Sequence, residues 1–546
     1  MASAADTVER TGLEWPSGLR IAFIALVYSL THAVSLLNRG LYWDDWVFWK
    51  LDRQVLATAV AEMGSTWPAS INDLFYYSQS GITFSRFLTF ASMLVASLLL
   101  YDVLRRLPGV SRDAAMWIAM VFSVFPAFES RIALVMVGYP LSVALFMCSL
   151  WLLVRYGPRP PIPVRVLMAV LFFISFRTGS LLVFFAVVPL LVLIVHPPET
   201  RGLGHIVRRL LGYADQLILP VAYWVVTRVW FQPSGRYADY NTPGSANDGF
   251  LELLGTGLYN VLVGPIVKAA GSLPFKVPLA VGFVVCVVVA LMLWRRPLQH
   301  SKRWAQLALT GLAMLVLAVA PYAAVGKAPG NYGWDTRHQL LVPFGGAFLT
   351  VAFVYWLVRG GRVSRRIGYG VLVLSIGISA VVHVSSYLAY ERDWLKQRAL
   401  IVAFQADPVV RDSHFILLED ETQDLDVTQR MFYEYTGMLA EAFGDETRYA
   451  VGRVYYFGNY QTVTHNVAYE PYYKAGDWAG GPPDCLVTIV RGDLDLRRTS
   501  QVLRLMILDW TDRAALDAEL GRALSVHARP YTAADRHIDA YPPLMR

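Results

Sequence analysis

Residues 164–196 read VRVLMAVLFFISFRTGSLLVFFAVVPLLVLIVH, which is enough apolar sequence for one long tilted helix, yet Arg177-Thr178-Gly179-Ser180 interrupts it with a charge followed by turn-forming residues. Whether this is one membrane crossing or two sets the parity of every later crossing. Cytoplasmic loops collect Lys and Arg. Two crossings put five basic connections on one side: Arg105/Arg106/Arg112, Arg155/Arg159/Arg165, Arg201/Arg208/Arg209, Arg295/Arg296/Lys302/Arg303 and Arg359/Arg362/Arg365/Arg366. A single crossing sends the last three clusters to the other side. The stretch is therefore read as two helices meeting near Arg177.

Outward from there, apolar runs able to cover a ~30 Å hydrocarbon core fall at about 18–37, 82–103, 113–128, 132–154, 164–177, 180–196, 213–231, 275–294, 304–324, 338–358 and 367–388. The expectation is a polytopic α-helical membrane protein with about eleven transmembrane helices. The run near 18–37 lacks a small-residue cleavage site and is long enough to span, so it is expected to be a retained first helix. An odd number of crossings puts the N-terminus in the cytoplasm and everything after about Glu391 outside. The expected location is the inner (cytoplasmic) membrane.

Composition agrees. Only 16% of the residues are charged, against about a quarter in soluble domains, and the mean hydropathy is +0.42. The net charge of +7 is spread over short loop clusters and forms no basic face of the kind nucleic acid needs. Cys148 and Cys286 lie in apolar runs and Cys485 stands alone, so no disulfide framework is expected. The sequence has no phosphate-binding Gly-rich loop, no Gly-x-Ser-x-Gly elbow and no His-Glu-x-x-His, which argues against an ATPase, a serine hydrolase and a zinc protease. His338 and His383 have no second ligand at metal spacing.

The chain divides into a membrane part, 1–390, and a soluble extracytoplasmic α/β domain, 391–546, where apolar runs shorten. His414–Leu418, Val451–Phe457, Leu486–Arg491 and Val502–Leu508 read as strands, and Gln429–Phe443 and Arg513–His527 as helices.

The first outward loop begins Arg39-Gly40-Leu41-Tyr42-Trp43-Asp44-Asp45-Trp46-Val47-Phe48-Trp49, an adjacent carboxylate pair set among aromatic residues. One reading makes Tyr42, Trp43, Trp46 and Trp49 an interfacial belt, with one Asp capping a short helix. The other makes one carboxylate a general base held in a low-dielectric crevice, with Tyr42, Trp43 and Trp46 as candidate substrate contacts. Its neighbour then binds a divalent cation, orients the acceptor or holds the first in place.

An acidic pair directly after the first transmembrane helix resembles the GT-C superfamily of membrane glycosyltransferases, which use polyprenyl-phosphate-linked sugars. Many members have Asp-Glu or Glu-Asp where this chain has Asp44-Asp45. A looser likeness lies in Trp334-Asp335-Thr336-Arg337-His338-Gln339-Leu340-Leu341-Val342-Pro343. The resemblance covers about 1–390. It implies a GT-C-like fold, with Asp44 as base and Asp45 supporting it or, if a metal is used, binding it. It also implies Arg337 and His338 near the donor.

Arg177 is singled out independently of any family. A helix of about fourteen residues from Val164 reaches only about 21 Å, so its turn lies at membrane depth, where an Arg marks a wet cavity or a buried pair. Arg177 is a candidate ligand for a donor phosphate. Glu129-Ser130-Arg131 forms a similar outward turn, read either as substrate contacts or as a surface pair. The segments Leu51–Gly81, with Trp67, Tyr76 and Tyr77, and Gln232–Ser272, with Arg236, Tyr237, Asp239, Tyr240 and Asn241-Thr242-Pro243-Gly244, are candidate covers lying partly along the interface.

The resemblance implies transfer of a sugar from a polyprenyl-phosphate donor to a glycan, lipid or protein acceptor, with inversion. A lipid-linked-glycan transporter or ligase, or a scaffold or sensor acting through the C-terminal domain, remain alternatives.

Overall fold

The computed structural model describes residues 16–157, 160–195, 203–238, 249–272, 276–295, 298, 303–453 and 482–536. Arg159, Arg201, Arg296, Lys302, Asp239, Tyr240, the turn at 241–244 and residues 454–457 lie outside them.

Among the described residues, seven helices are long and apolar enough to cross a membrane: Ser17–Leu37, Gln79–Leu104, Leu134–Tyr156, Phe250–Gly271, Lys276–Arg295, Trp304–Ala323 and Arg362–Ala406. Two further pairs qualify only jointly. These are Gly204–Leu211 with Ala214–Trp230, bent by 74°, and Gly333–Gln339 with Val342–Val358, bent by 71°. The expected helix at 113–128 is Arg112–Val124, only 13 residues long. The opening stretch does break, with one helix ending at Ser175 and the next starting at Gly179.

The basic connections gather at one end of the bundle, opposite Asp44. Arg20 pairs with Asp113 at 2.8 Å, Arg303 donates to the Pro108 carbonyl at 3.4 Å, and Arg359 lies 5.6 Å over the Trp304 ring. Nearby, Arg165 pairs with Asp215.

The helix Phe250–Ser272 has the composition of a span, but its contacts say otherwise. Asn260 donates to the Pro329 carbonyl at 3.0 Å, Asn331 donates to Asn260 at 3.2 Å, and Lys268 reaches Glu129 at 2.9 Å. Every one of these partners belongs to the Asp44 end of the bundle. The helix therefore runs across the neighbouring helix ends, as expected for an interfacial segment, and does not add a crossing.

The helix Arg362–Ala406 is 45 residues long, about 68 Å at 1.5 Å per residue. It passes the expected boundary at 390 without a break. Its far half, from Glu391 to Ile401, is buried almost throughout and forms the core against which the C-terminal unit packs. That unit contains a four-stranded sheet ordered β2-β1-β3-β4, with β1 Phe415–Asp420, β2 Tyr449–Gly452, β3 Cys485–Arg491 and β4 Leu524–Pro530. The first three strands are parallel, with Phe415 opposite Tyr449 and Ile416 opposite Cys485, and β4 pairs antiparallel with β3.

Two expectations for this unit are corrected. Val502–Leu508 lies in a helix, Thr499–Thr511, whose buried residues Val502, Leu505, Met506 and Asp509 recur at helical spacing. Arg513–His527 is not one helix: the helix stops at Leu520 and β4 begins at Leu524.

A buried ionic network joins this unit to the long helix. Lys396, wholly buried, donates to Asp420 at 2.7 Å and to Asp426 at 2.8 Å. Arg430 pairs with Asp393 at 2.5 Å and with Asp426 at 2.8 Å. With Glu434 beside Arg430, four carboxylates face two cations. Burial pushes Asp426 up to about 6 and Glu434 up to about 7, against the pull of Arg430, whereas Lys396 holds Asp420 below the usual carboxylate range.

A carboxyl raised on folding binds its proton more tightly in the native state, so its contribution to stability is lost as pH rises through the folded value. The C-terminal unit is therefore expected to unfold at a higher temperature at pH 5.5 than at pH 8, measured by scanning fluorimetry. Equal midpoints, or a higher one at pH 8, contradict the assignment.

Candidate functional site

The two adjacent carboxylates do different things. Asp45 is fully buried. Its Oδ2 accepts from the backbone N–H of Tyr42 at 3.1 Å and of Leu134 at 2.9 Å, and its Oδ1 from Val135 at 2.9 Å. Burial pushes its carboxyl up to about 7 despite Arg86 and these three donors. Asp45 thus ties the first loop to the segment Leu134–Met136. Of the roles open to it in sequence, holding its neighbour in place is the one these bonds provide for. Among the described residues, no group of three or more His, Cys, Asp or Glu side chains is arranged to hold a metal.

Asp44 sits at the N-cap of the short helix Asp45–Phe48, but its side chain makes no capping bond. The carboxylate is half-buried and turned elsewhere: it accepts from Tyr433 and lies within electrostatic reach of Arg337. Burial raises its pKa, and these two partners pull it back down. The residue before it, Trp43, has φ of +52°, a conformation that costs a bulky side chain about 1–3 kcal/mol. Trp43 is held there by a 2.9 Å bond from its indole N–H to Thr428 and by the rings of Trp334 and Tyr390 at 5.1 and 5.6 Å.

Electrostatic proximity closes a ring from Asp44 through both candidate arginines. Tyr76 lies within reach of Asp44 and of Arg177. Arg177 lies within electrostatic reach of Tyr139, Tyr139 of Tyr322, Tyr322 of Arg337, and Arg337 of Asp44. These six side chains come from five separate parts of the chain. Arg177 is accessible, its guanidinium lying 4.6 Å over the Trp67 ring and packed on Gly138. Among the described residues its side chain has no ion pair or hydrogen bond. Arg337 lies 4.7 Å over the Trp334 ring, donates to the Trp334 carbonyl at 3.2 Å and makes a 3.4 Å contact to the exposed Asp335.

The remaining sequence candidates are placed elsewhere. Tyr42 is buried, its hydroxyl donating to the Tyr390 carbonyl at 2.6 Å. Trp46 is buried against Gly437 and donates to Gln397 at 2.9 Å. With Trp49 donating to Glu441 at 3.2 Å, these aromatics dock the C-terminal unit and do not form an interfacial belt. His338 turns inward onto the Tyr322 ring, 4.7 Å away.

Glu129 and Arg131 are both buried and do not form a surface pair. Glu129 accepts from Lys268 at 2.9 Å, Ser386 at 3.2 Å and the Gly333 N–H at 2.7 Å. It borders a cavity of ≈ 320 Å³ lined also by Tyr332, Ser385, Tyr390 and Arg392. Arg131 points into the helix bundle toward His383.

Tyr139, Tyr322 and Tyr433 carry no local signal in sequence; only the tertiary fold brings them to Asp44.

No family model and no curated protein matches the sequence. Among solved structures, the chain is similar to the oligosaccharyltransferase of Archaeoglobus fulgidus, crystallised with a tethered acceptor peptide containing the NVT sequon. The identity is 10% over 87% of this chain and 69% of that one, with a TM-score of 0.35. A likeness this faint adds no weight to either fold or function, and the chemistry has to be argued from the residues.

The geometry separates the two aspartates experimentally. Asp45→Asn turns an amide N–H toward backbone donors and is expected to destabilise the protein by about 1–3 kcal/mol. Asp44→Asn, whose side chain caps nothing, is expected to leave the thermal midpoint within about 1 °C, on the order of what a surface change does. The reverse ranking in a thermal-shift assay contradicts these roles.

Proposed function

We infer that this chain is a membrane glycosyltransferase that moves a sugar from a polyprenyl-phosphate donor to an acceptor hydroxyl on the extracytoplasmic side. The reading is supported above all by one juxtaposition: a half-buried carboxylate, Asp44, that caps nothing, lies within electrostatic reach of the Arg337 guanidinium, and shares Tyr76 as a neighbour with the Arg177 guanidinium, neither cation being neutralised by a buried carboxylate. With the odd number of crossings read from the sequence, the basic loops in the cytoplasm and Phe250–Ser272 along the outer interface, these groups and the C-terminal unit share the outer side.

In this mechanism Asp44 takes the proton of the acceptor hydroxyl as that oxygen attacks the anomeric carbon. The bond from that carbon to the phosphate oxygen breaks on the opposite face, which inverts the configuration. The electron pair leaves with the polyprenyl phosphate. Arg177 and Arg337 stabilise the departing dianion, an interaction strengthened by the low dielectric of the site. Tyr76 and Tyr139 flank the path between them, and Trp67 and Trp334 supply flat faces behind the guanidiniums.

A transporter needs the cations but not the base. Reconstituted vesicles supplied with a panel of labelled polyprenyl-phosphate pentoses and hexoses therefore discriminate. Asp44→Asn is expected to lose 10²–10⁴-fold in transfer rate while donor binding is kept; unchanged transfer removes Asp44 from the base role. Arg177→Met and Arg337→Met are expected to weaken donor binding and lower the rate together, each by about tenfold or more. If neither changes donor affinity, the phosphate lies elsewhere.

A further inference from the structure

The helix bundle carries a second cationic site that sugar transfer does not use. Arg131, 6% exposed, comes from the turn Glu129–Ile132, and Arg86, 2% exposed, from the helix Gln79–Leu104. Both line one small cavity between that helix, Ser17–His32 and Arg362–Ala406, together with His32, Thr89 and Tyr387.

Neither arginine has a carboxylate within ion-pair distance among the described residues. Arg86 donates through Nη2 to the Gly40 carbonyl at 2.7 Å and more weakly to Asn38 at 3.4 Å. Its Nε and Nη1 have no acceptor. Asp45 and Glu391 act on Arg86 only from a longer range. Arg131 donates to the Ala127 carbonyl at 3.3 Å, and its Nε has no acceptor either. Glu129, two residues away, is already committed to Lys268, Ser386 and Gly333.

The histidines beside them do not supply the missing negative charge. His32 Nε2 faces the Ser123 carbonyl at 3.0 Å and must be its donor, leaving Nδ1 to accept from Tyr387 at 2.9 Å. His383 Nε2 likewise donates to the Phe125 carbonyl at 3.0 Å, and its Nδ1 faces Arg131 at 3.3 Å. His383 thus spends its lone pair on Arg131, and His32, whose Nδ1 meets a hydroxyl, brings no negative charge either. Two guanidiniums share a low-dielectric space with unused N–H groups and no close counter-charge, an arrangement that costs several kcal/mol unless an anion joins it.

We propose that this cavity binds a single chloride ion, held by the free N–H groups of Arg86 and Arg131. The space, ≈ 10 Å³, is about the least that holds one water, which excludes phosphate and carboxylate ligands; a chloride, slightly larger than water, enters with a shift of a few tenths of an ångström in the lining side chains. Charge decides between them, because a water accepts two hydrogen bonds but neutralises nothing. Through Arg86 and the Gly40 carbonyl the ion also braces the start of the loop that carries Asp44.

Two measurements test this on the full chain in detergent. In chloride–gluconate mixtures at fixed ionic strength, the unfolding midpoint is expected to rise on the order of 1 °C per tenfold chloride above the dissociation constant. The dependence should vanish in Arg131→Met. Wild-type crystals grown in sodium bromide, which need no folded variant, supply the second measurement: an anomalous peak is expected between Arg86 and Arg131. A midpoint indifferent to chloride, the same dependence in Arg131→Met, or a cavity with no anomalous peak, which means water alone, overturns the proposal.

Discussion

The buried carboxylate of Asp45 is the constraint on which the rest of the site depends. Three backbone N–H groups, one from its own loop and two from residues 134 and 135, converge on it. Polar groups taken out of water must find partners, and here a single side chain satisfies two loop segments that would otherwise be unrelated. That fixes the direction of the backbone at Trp43–Asp44. The left-handed Trp43 then aims the Asp44 carboxylate away from its own helix and toward Tyr433 and Arg337. An aspartate pair is thus a division of labour in which one member is immobilised so that the other is free.

The same logic joins the two halves of the chain. Trp46 and Trp49 insert into the C-terminal unit, and the network of Lys396, Arg430 and four carboxylates holds that unit on the extension of the last membrane helix. A buried network of this kind adds little net stability compared with apolar packing, but breaking it is expensive. It therefore serves best to specify one docking geometry. Because Tyr433 belongs to the docked unit and touches Asp44, the position of the C-terminal unit is coupled directly to the candidate base.

Much of this was legible in sequence, and the failures have physical causes. Apolar runs and the distribution of arginines gave the helices and the break at Arg177, since both follow from solvation by lipid. The position of Asp44-Asp45 after the first helix marked the candidate site. What could not be read was the split of roles, because identical neighbouring side chains differ only in which long-range N–H groups meet them. Glu129 and Arg131 looked like a pair from spacing, but the turn sends them to Lys268 and His383. Val502–Leu508 passed for a strand because a short run of apolar residues does not reveal its period until the burial of Leu505, Met506 and Asp509 is known.

The central claim is that a lipid phosphate sits between Arg177 and Arg337 with its sugar facing Asp44. The most direct measurement is a cryo-EM map of the protein in nanodiscs with a non-hydrolysable polyprenyl-phosphonate sugar. The account predicts phosphonate density within hydrogen-bond reach of both guanidiniums and the anomeric carbon on the Asp44 side. Headgroup density in the cavity beside Tyr332 and Ser385, with the space around Asp44 empty, would contradict it.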